Sequence, residues 1–190
     1  PLCRAELPDT PEKMFADGCQ LFFQISKSAE EKDDGSWRKL NKNQKNKMSK
    51  VLNLWNKAAD QGYEYAQHSL GIVYSNGQGV EKNEFTSVNW FRKAAKQGSA
   101  QAQFNLGVMY YHGQGVAQDY SAAIKWYRMA ADQGDANAQC ALGVMYYSGQ
   151  GVAKDDAAAI KWYRTAAGQG YARAQCNLGN MYGNGQGVAQ

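Results

Sequence analysis

Apolar and polar positions alternate along most of this chain with the period of an α-helix. In the stretch SAQAQFNLGVMYYHG, residues 99–113, Ala102, Leu106, Met109 and Tyr110 fall at i, i+4, i+7 and i+8 and mark one face. In DYSAAIKWYRMAADQG, residues 119–134, Tyr120, Ala123, Tyr127 and Ala130 form a second stripe, widened by Ile124 and Ala131. Asp119 stands where a carboxylate would accept from the free amides of a first helical turn, and Gly134 stands where a left-handed residue would end the helix. Asp135 is a candidate cap for the helix that follows. These residues predict two helices joined by the loop HGQGVAQ.

The pattern recurs. GQGV occurs at 77–80, 113–116, 149–152 and 185–188, a step of 36 residues. The pairs LG (70–71, 106–107, 142–143, 178–179) and QG (61–62, 97–98, 133–134, 169–170) keep the same step, as do Trp90, Trp126 and Trp162. Sixteen of the twenty glycines lie in these registers, which decides what the glycine loop is for. A phosphate-cradling loop is needed once, after a strand and with a Lys in a fixed place. Four copies without that Lys predict a turn in which glycine supplies positive φ. Gly107, beside the apolar stripe, predicts close approach of a neighbouring helix, and the recurrent tryptophans, Trp126 for instance, are expected in the core.

The unit A-x-x-x-L-G-x-x-Y, then G-x-G-V, then W-[YF]-[RK]-x-A-A-x-Q-G resembles the Sel-1-like repeat, a relative of the tetratricopeptide repeat, over roughly residues 45–190. The resemblance implies an all-α fold, an α/α superhelix of stacked antiparallel helix pairs. It also implies a non-catalytic adaptor or scaffold that holds a protein partner on its concave surface. One pair cannot bury its apolar face alone, so neighbouring units stabilise one another. An RNA-binding helical repeat of similar period fits less well, because the glycine loop is present and the repeats are almost neutral.

Residues 10–62 are an atypical first pair. Thr10 and Pro11 signal a helix start, and Met14, Gly18, Leu21, Phe22 and Ile25 share a face over 10–27. A charged linker spans about 28–43, and Met48, Val51, Leu52 and Trp55 mark a second helix over 44–59. Such a pair suits a capping unit. Residues 63–190 hold the regular units, the last of them without its second helix, so Leu178, Met181 and Tyr182 are expected to lack cover and this end to fray or self-associate.

Charge changes this picture little. The formal net charge is +4; six Lys or Arg lie in 38–50, while residues 51–190 carry eleven basic and nine acidic side chains. The basic run reads as a solvated face, and there is no basic stripe of the kind nucleic acid requires. No run reaches the ~18 apolar residues of a membrane span. The four cysteines form no disulfide framework and predict reduced thiols in an intracellular, cytoplasmic setting. In a cysteine-rich branch of the family a disulfide joins the two helices of each unit, and that pairing is missing here.

Candidate chemistry is sparse. Residues 1–9 resemble the closing segment of a RING-type zinc finger, with Cys3 as a zinc thiolate. That resemblance implies, as the alternative to a scaffold, the substrate-recruiting C-terminal part of a ubiquitin ligase, with zinc held only in a longer chain. His68 and His112 occupy a packing slot and a turn slot, and neither they nor any other residue predicts catalysis or a cofactor site. Partner contacts are expected from first-helix positions off the stripe: Gln103, Asn105, Tyr111, Gln139, Tyr147, Gln175 and Asn177. The glutamine recurs at 67, 103, 139 and 175, so it is equally a candidate for tying neighbouring turns together.

Overall fold

The computed structural model describes residues 10–30, 37 and 40–186. Among the described residues there are nine α-helices and no strand: α1 (Pro11–Glu30), α2 (Lys42–Asp60), α3 (Glu64–Asn76), α4 (Glu84–Lys96), α5 (Ala100–His112), α6 (Tyr120–Asp132), α7 (Ala136–Ser148), α8 (Asp156–Gly168) and α9 (Ala172–Gly183). They fall into two compact units, Pro1–Lys93 and Ala94–Gln190.

In the first unit α1 packs on α2. Thr10 Oγ1 accepts from Lys13 N at 3.2 Å, as a helix start should. α2 begins two residues earlier than its apolar stripe predicts because Asn41 and Gln44 form a capping box, each side chain accepting from the other's backbone N–H at 2.9 Å. Trp55 fills the space between the two helices. A β-carbon on Gly18 would lie 2.4 Å from Trp55 Nε1, and that nitrogen donates to Phe15 O at 3.2 Å. Phe15 and Phe22 tilt against the same indole, and Ile25, Met48, Val51 and Leu70 complete a buried core. Lys42, Lys45 and Lys50 are exposed, while half-buried Lys47 donates to Gln24 Oε1 at 3.0 Å, so most of the described part of the basic run is a solvated face.

In the second unit α5 pairs with α6, α7 with α8, and α9 packs against α8. The carboxylates of Asp119, Asp135 and Asp155 accept from Ala122 N, Ala138 N and Ala158 N at 2.9, 2.8 and 2.9 Å, so both predicted caps form and Asp155 repeats the cap of Asp119 one unit on. The glycine loop is a turn. Gly113 and Gly149 take the left-handed conformation, with φ of 69° and 71°, directly after α5 and α7. The following glutamine amide then bonds back to Met109 O or Met145 O, which closes the helix end. The cap residue's own N–H returns to the same helix, Asp119 N to Tyr110 O and Asp155 N to Tyr146 O, both at 2.9 Å.

The aromatic residue at the centre of each pair is one place away from the recurrent tryptophan. Tyr127 and Tyr163 are buried against Gly107 and Gly143, where added β-carbons would lie 2.6 and 2.5 Å from the rings. Trp126 and Trp162, expected in the core, are half-buried. Successive helical positions point about 100° apart, so only one of two adjacent aromatics can face the glycine.

The recurrent glutamine links consecutive helices. In the first unit, Gln67 Nε2 donates to Ala59 O at 2.9 Å. In the second, Gln103 Nε2 donates to Ala95 O at 3.1 Å and Gln139 Nε2 to Ala131 O at 3.2 Å. Each acceptor lies in the last turn of the preceding helix, where carbonyls lack intrahelical partners. Gln133 and Gln169 then donate to Gln103 Oε1 and Gln139 Oε1 at 2.8 and 2.7 Å.

α9 is covered less than α5 and α7, and unevenly. Contrary to expectation Met181 is buried, in a cluster with Cys140, Ile160 and Tyr163 that α7 and α8 supply. Leu178 is half-buried, Tyr182 is 37% exposed, and a β-carbon on Gly179 would meet nothing within 4 Å.

Candidate functional site

The first helices of the second unit line two adjoining cavities. One, of about 410 Å³, is walled by Phe104, Val108 and Tyr111 of α5, by Cys140 and Val144 of α7, and by Arg173 of α9. The other, of about 380 Å³, lies between Val144 and Tyr147 of α7, Tyr163 of α8, and Arg173, Asn177 and Asn180 of α9. Val144 and Arg173 border both. The first cavity is walled mainly by apolar and aromatic side chains, whereas Arg173, Asn177, Asn180, Asn184 and Gln186 make the second largely polar.

The residues expected to meet a partner divide into two groups. Gln103 and Gln139 are 2% and 3% exposed, and both ends of each amide are engaged within the fold. They tie helices together and are withdrawn from the candidate surface. Gln175 is exposed, but its Nε2 donates to Ala167 O at 3.3 Å. Asn105 is half-buried and lines neither cavity. Tyr111 lines the first cavity and Tyr147 and Asn177 the second, so three of the seven meet there. The Tyr111 hydroxyl donates to Gln150 Oε1 of the next glycine loop at 2.8 Å, which fixes its ring against the cavity. Tyr147 is 37% exposed, with Lys154 Nζ 5.5 Å from its ring centre.

Sequence reasoning missed Phe104, Cys140, Arg173 and Asn180. Their signal is variation inside the repeat. The slot of Arg173 holds Tyr65, Gln101 and Asn137 in other units, and that of Asn180 holds Ile72, Val108 and Val144.

Electrostatics favour protonated side chains here. Burial pushes the Cys140 thiol up, and nearby Arg173 opposes that only in part. The Tyr127 and Tyr163 hydroxyls are raised far above the ordinary phenol value, chiefly by burial. His112 packs edge-on against Tyr111 at the cavity margin, with ring centres 4.8 Å apart. His68 sits in the first unit against Phe91 at 5.6 Å, and burial lowers its pKa. Among the described residues no three His, Cys, Asp or Glu side chains come together as a metal site. Cys19, Cys140 and Cys176 are free thiols, and Cys3, with the rest of the RING-like segment, lies outside the described residues.

The Sel1 repeat model matches residues 52–63, 64–99, 100–135, 136–171 and 172–190. The chain belongs to the Sel1 repeat family. Solved Sel1 structures agree with this. A protective antigen of uropathogenic Escherichia coli with an SLR fold is 35% identical at a TM-score of 0.79, over 94% of this chain and 34% of that one. This chain thus spans about a third of the antigen's length. A Sel1 repeat protein from Oxalobacter formigenes is 34% identical at a TM-score of 0.76, over 96% of this chain and 69% of its own. Cysteine-rich protein B of Helicobacter pylori shares the fold at 23% identity and a TM-score of 0.56, over 70% of this chain and 96% of its own. No curated protein matches the chain. Sel1 membership makes this an all-α solenoid of helix pairs, a scaffold architecture, and no helix among its described residues is long and apolar enough to cross a membrane.

Proposed function

We propose that this Sel1 chain is a non-catalytic adaptor that holds a segment of a partner protein along the groove made by α5, α7 and α9. The observation that carries this reading is the pair of adjoining cavities, which share Val144 and Arg173 and together run past Phe104, Tyr111 and Tyr147. Aromatic side chains at a groove supply large contact area and anchor interfaces. The structural glutamines hold neighbouring helices in place beneath that groove, so the site is formed before a partner arrives. Preorganisation of that kind lowers the entropy lost on binding.

The test is an unbiased selection of displayed random peptides on the purified chain, followed by mapping of amide-shift changes. Selected peptides should perturb Tyr111, Val144 and Asn177, and Val144→Arg, which fills the groove, should abolish binding while helical content is retained. Perturbations centred on α6 and α8, or binding that survives Val144→Arg, would rule the groove out.

A further inference from the structure

Several slots on the groove side differ between α7 and α9. Asp135, whose carboxylate caps α7, is replaced by Tyr171, which makes no side-chain cap. Asn137 is replaced by Arg173, and Val144 by Asn180. With Ala141 also replaced by Asn177 and Ser148 by Asn184, one carboxylate is lost, one guanidinium is gained, and there is a net gain of two amides. No Asp or Glu lines either cavity, while Arg173 lines both. Arg173 is near enough to Cys140 and Tyr163 to favour ionisation of both, though burial outweighs it.

A second difference lies in the glycine loops. Gln150 Oε1 is satisfied by the Tyr111 hydroxyl. One unit later, Gln186 lines the second cavity together with Tyr147, and its buried Oε1 has no hydrogen-bond partner among the described residues. A buried acceptor left unpaired is costly, and a main-chain N–H would satisfy it. Asn177, Asn180 and Asn184 follow at helical spacing along the same wall. Each carboxamide carries both a donor and an acceptor, which is what a peptide group requires, although Asn177 Nδ2 already donates to Cys140 Sγ at 3.9 Å.

We propose that the cavity between α7 and α9 receives an extended segment of a partner protein that carries an acidic side chain. Its carboxylate lies on Arg173 and its main chain along Asn177, Asn180 and Gln186. A guanidinium takes a carboxylate through two parallel hydrogen bonds, which a lysine cannot reproduce. This inference rests on the groove reading and adds the chemistry of the occupant.

The experiment uses three fluorescent nonapeptides, each acetylated and amidated, with Glu, Gln or Lys alternating with Ser, titrated against the intact chain by anisotropy. The Glu peptide should bind about ten-fold or more tightly than the Gln peptide, as one charge-assisted pair implies, and the Lys peptide should not bind. Arg173→Gln should remove the preference, Arg173→Lys should keep part of it, and Asn180→Val should weaken Glu and Gln peptides alike. Arg173 and Asn180 are exposed, so these variants should keep their fold, which circular dichroism checks. High salt should weaken the Glu peptide most. Equal affinity for Glu and Gln peptides, unchanged affinity in Arg173→Gln, or a requirement for a free C-terminal carboxylate would overturn the proposal. If selected peptides occupy the groove with no acidic preference, the groove reading stands and this one falls. If the Glu peptide binds as well to Val144→Trp, which fills the groove without adding a cation, its site lies elsewhere and both fall.

Discussion

The ring of Tyr127 occupies the place a side chain on Gly107 would need: a β-carbon there would lie 2.6 Å from both Cδ1 and Cε1. Tyr163 stands against Gly143 in the same way, and in the first unit Phe91 against Gly71 and Trp55 against Gly18. The contact sets how near the two helices of a pair approach. Alanine at 107 would gain about 1 kcal/mol of helix propensity but force a buried ring to move, at about 1–3 kcal/mol. The contact is with the body of a buried ring, so the clash should win, and Gly107→Ala is expected to lower stability by up to about 2 kcal/mol. Gly179 occupies the same slot in α9 with nothing within 4 Å. Gly179→Ala should therefore raise stability by about 0.5–1 kcal/mol. Denaturant midpoints of the two variants should move in opposite directions.

Adjacent aromatics give a second contrast. Tyr127 is 4% exposed, whereas Trp126 is half-buried. Tyr127→Ala leaves a cavity between α5 and α6 and should cost about 3–5 kcal/mol. Trp126→Ala removes a larger side chain from a shallower place and should cost about 1–2 kcal/mol. Equilibrium unfolding in urea ranks them. A larger loss for the tryptophan would mean that the pair is centred on the wrong ring.

The repeat period, the caps and the turn glycines were legible in the sequence because each rests on local chemistry: an apolar stripe, a carboxylate at a helix start, a residue free to take positive φ. The phase of Trp126 and Tyr127 was less so, since two neighbouring aromatics fit the same coarse pattern until Gly107 selects one. Gln103 and Gln139 read equally well as surface amides or internal ties. Their burial comes from a carbonyl eight residues upstream, Ala95 or Ala131, which only the stacked helices bring near. The cavities were not legible at all. They arise where Val144 and Arg173 meet α5 and α8 side chains from other turns, and the sequence marks them only as slots where the repeat departs from itself.

The glutamine ties should show in stability and not in the groove. Gln139 donates to Ala131 O and accepts from Gln169 in a buried setting. Leucine there preserves volume but removes both bonds, at an expected cost of about 1–3 kcal/mol. Gln175 makes the corresponding bond to Ala167 O where solvent reaches it, so Gln175→Leu should change stability by no more than about 0.5 kcal/mol. Thermal unfolding of the two leucine variants measures the difference, and equal losses would show that burial of the amide is not what makes it matter.

Alkaline pH should expose the buried phenols. Burial raises Tyr127 and Tyr163 well above the ordinary tyrosine value, so folding favours their protonated forms. Below about pH 10 the phenols are protonated in folded and unfolded chains alike, and their full contribution to stability is present. Above that pH the unfolded chain releases these protons first, which stabilises it relative to the native state. Stability should thus fall as pH rises from about 10, each phenol contributing a slope of up to about 1.4 kcal/mol per pH unit until it ionises in the native state too. Tyr127→Phe removes one titrating group without emptying the space against Gly107. Denaturant midpoints followed from neutrality to about pH 11 should therefore decline less steeply for Tyr127→Phe than for the parent chain, and parallel declines would mean that the Tyr127 hydroxyl is solvated in the folded protein.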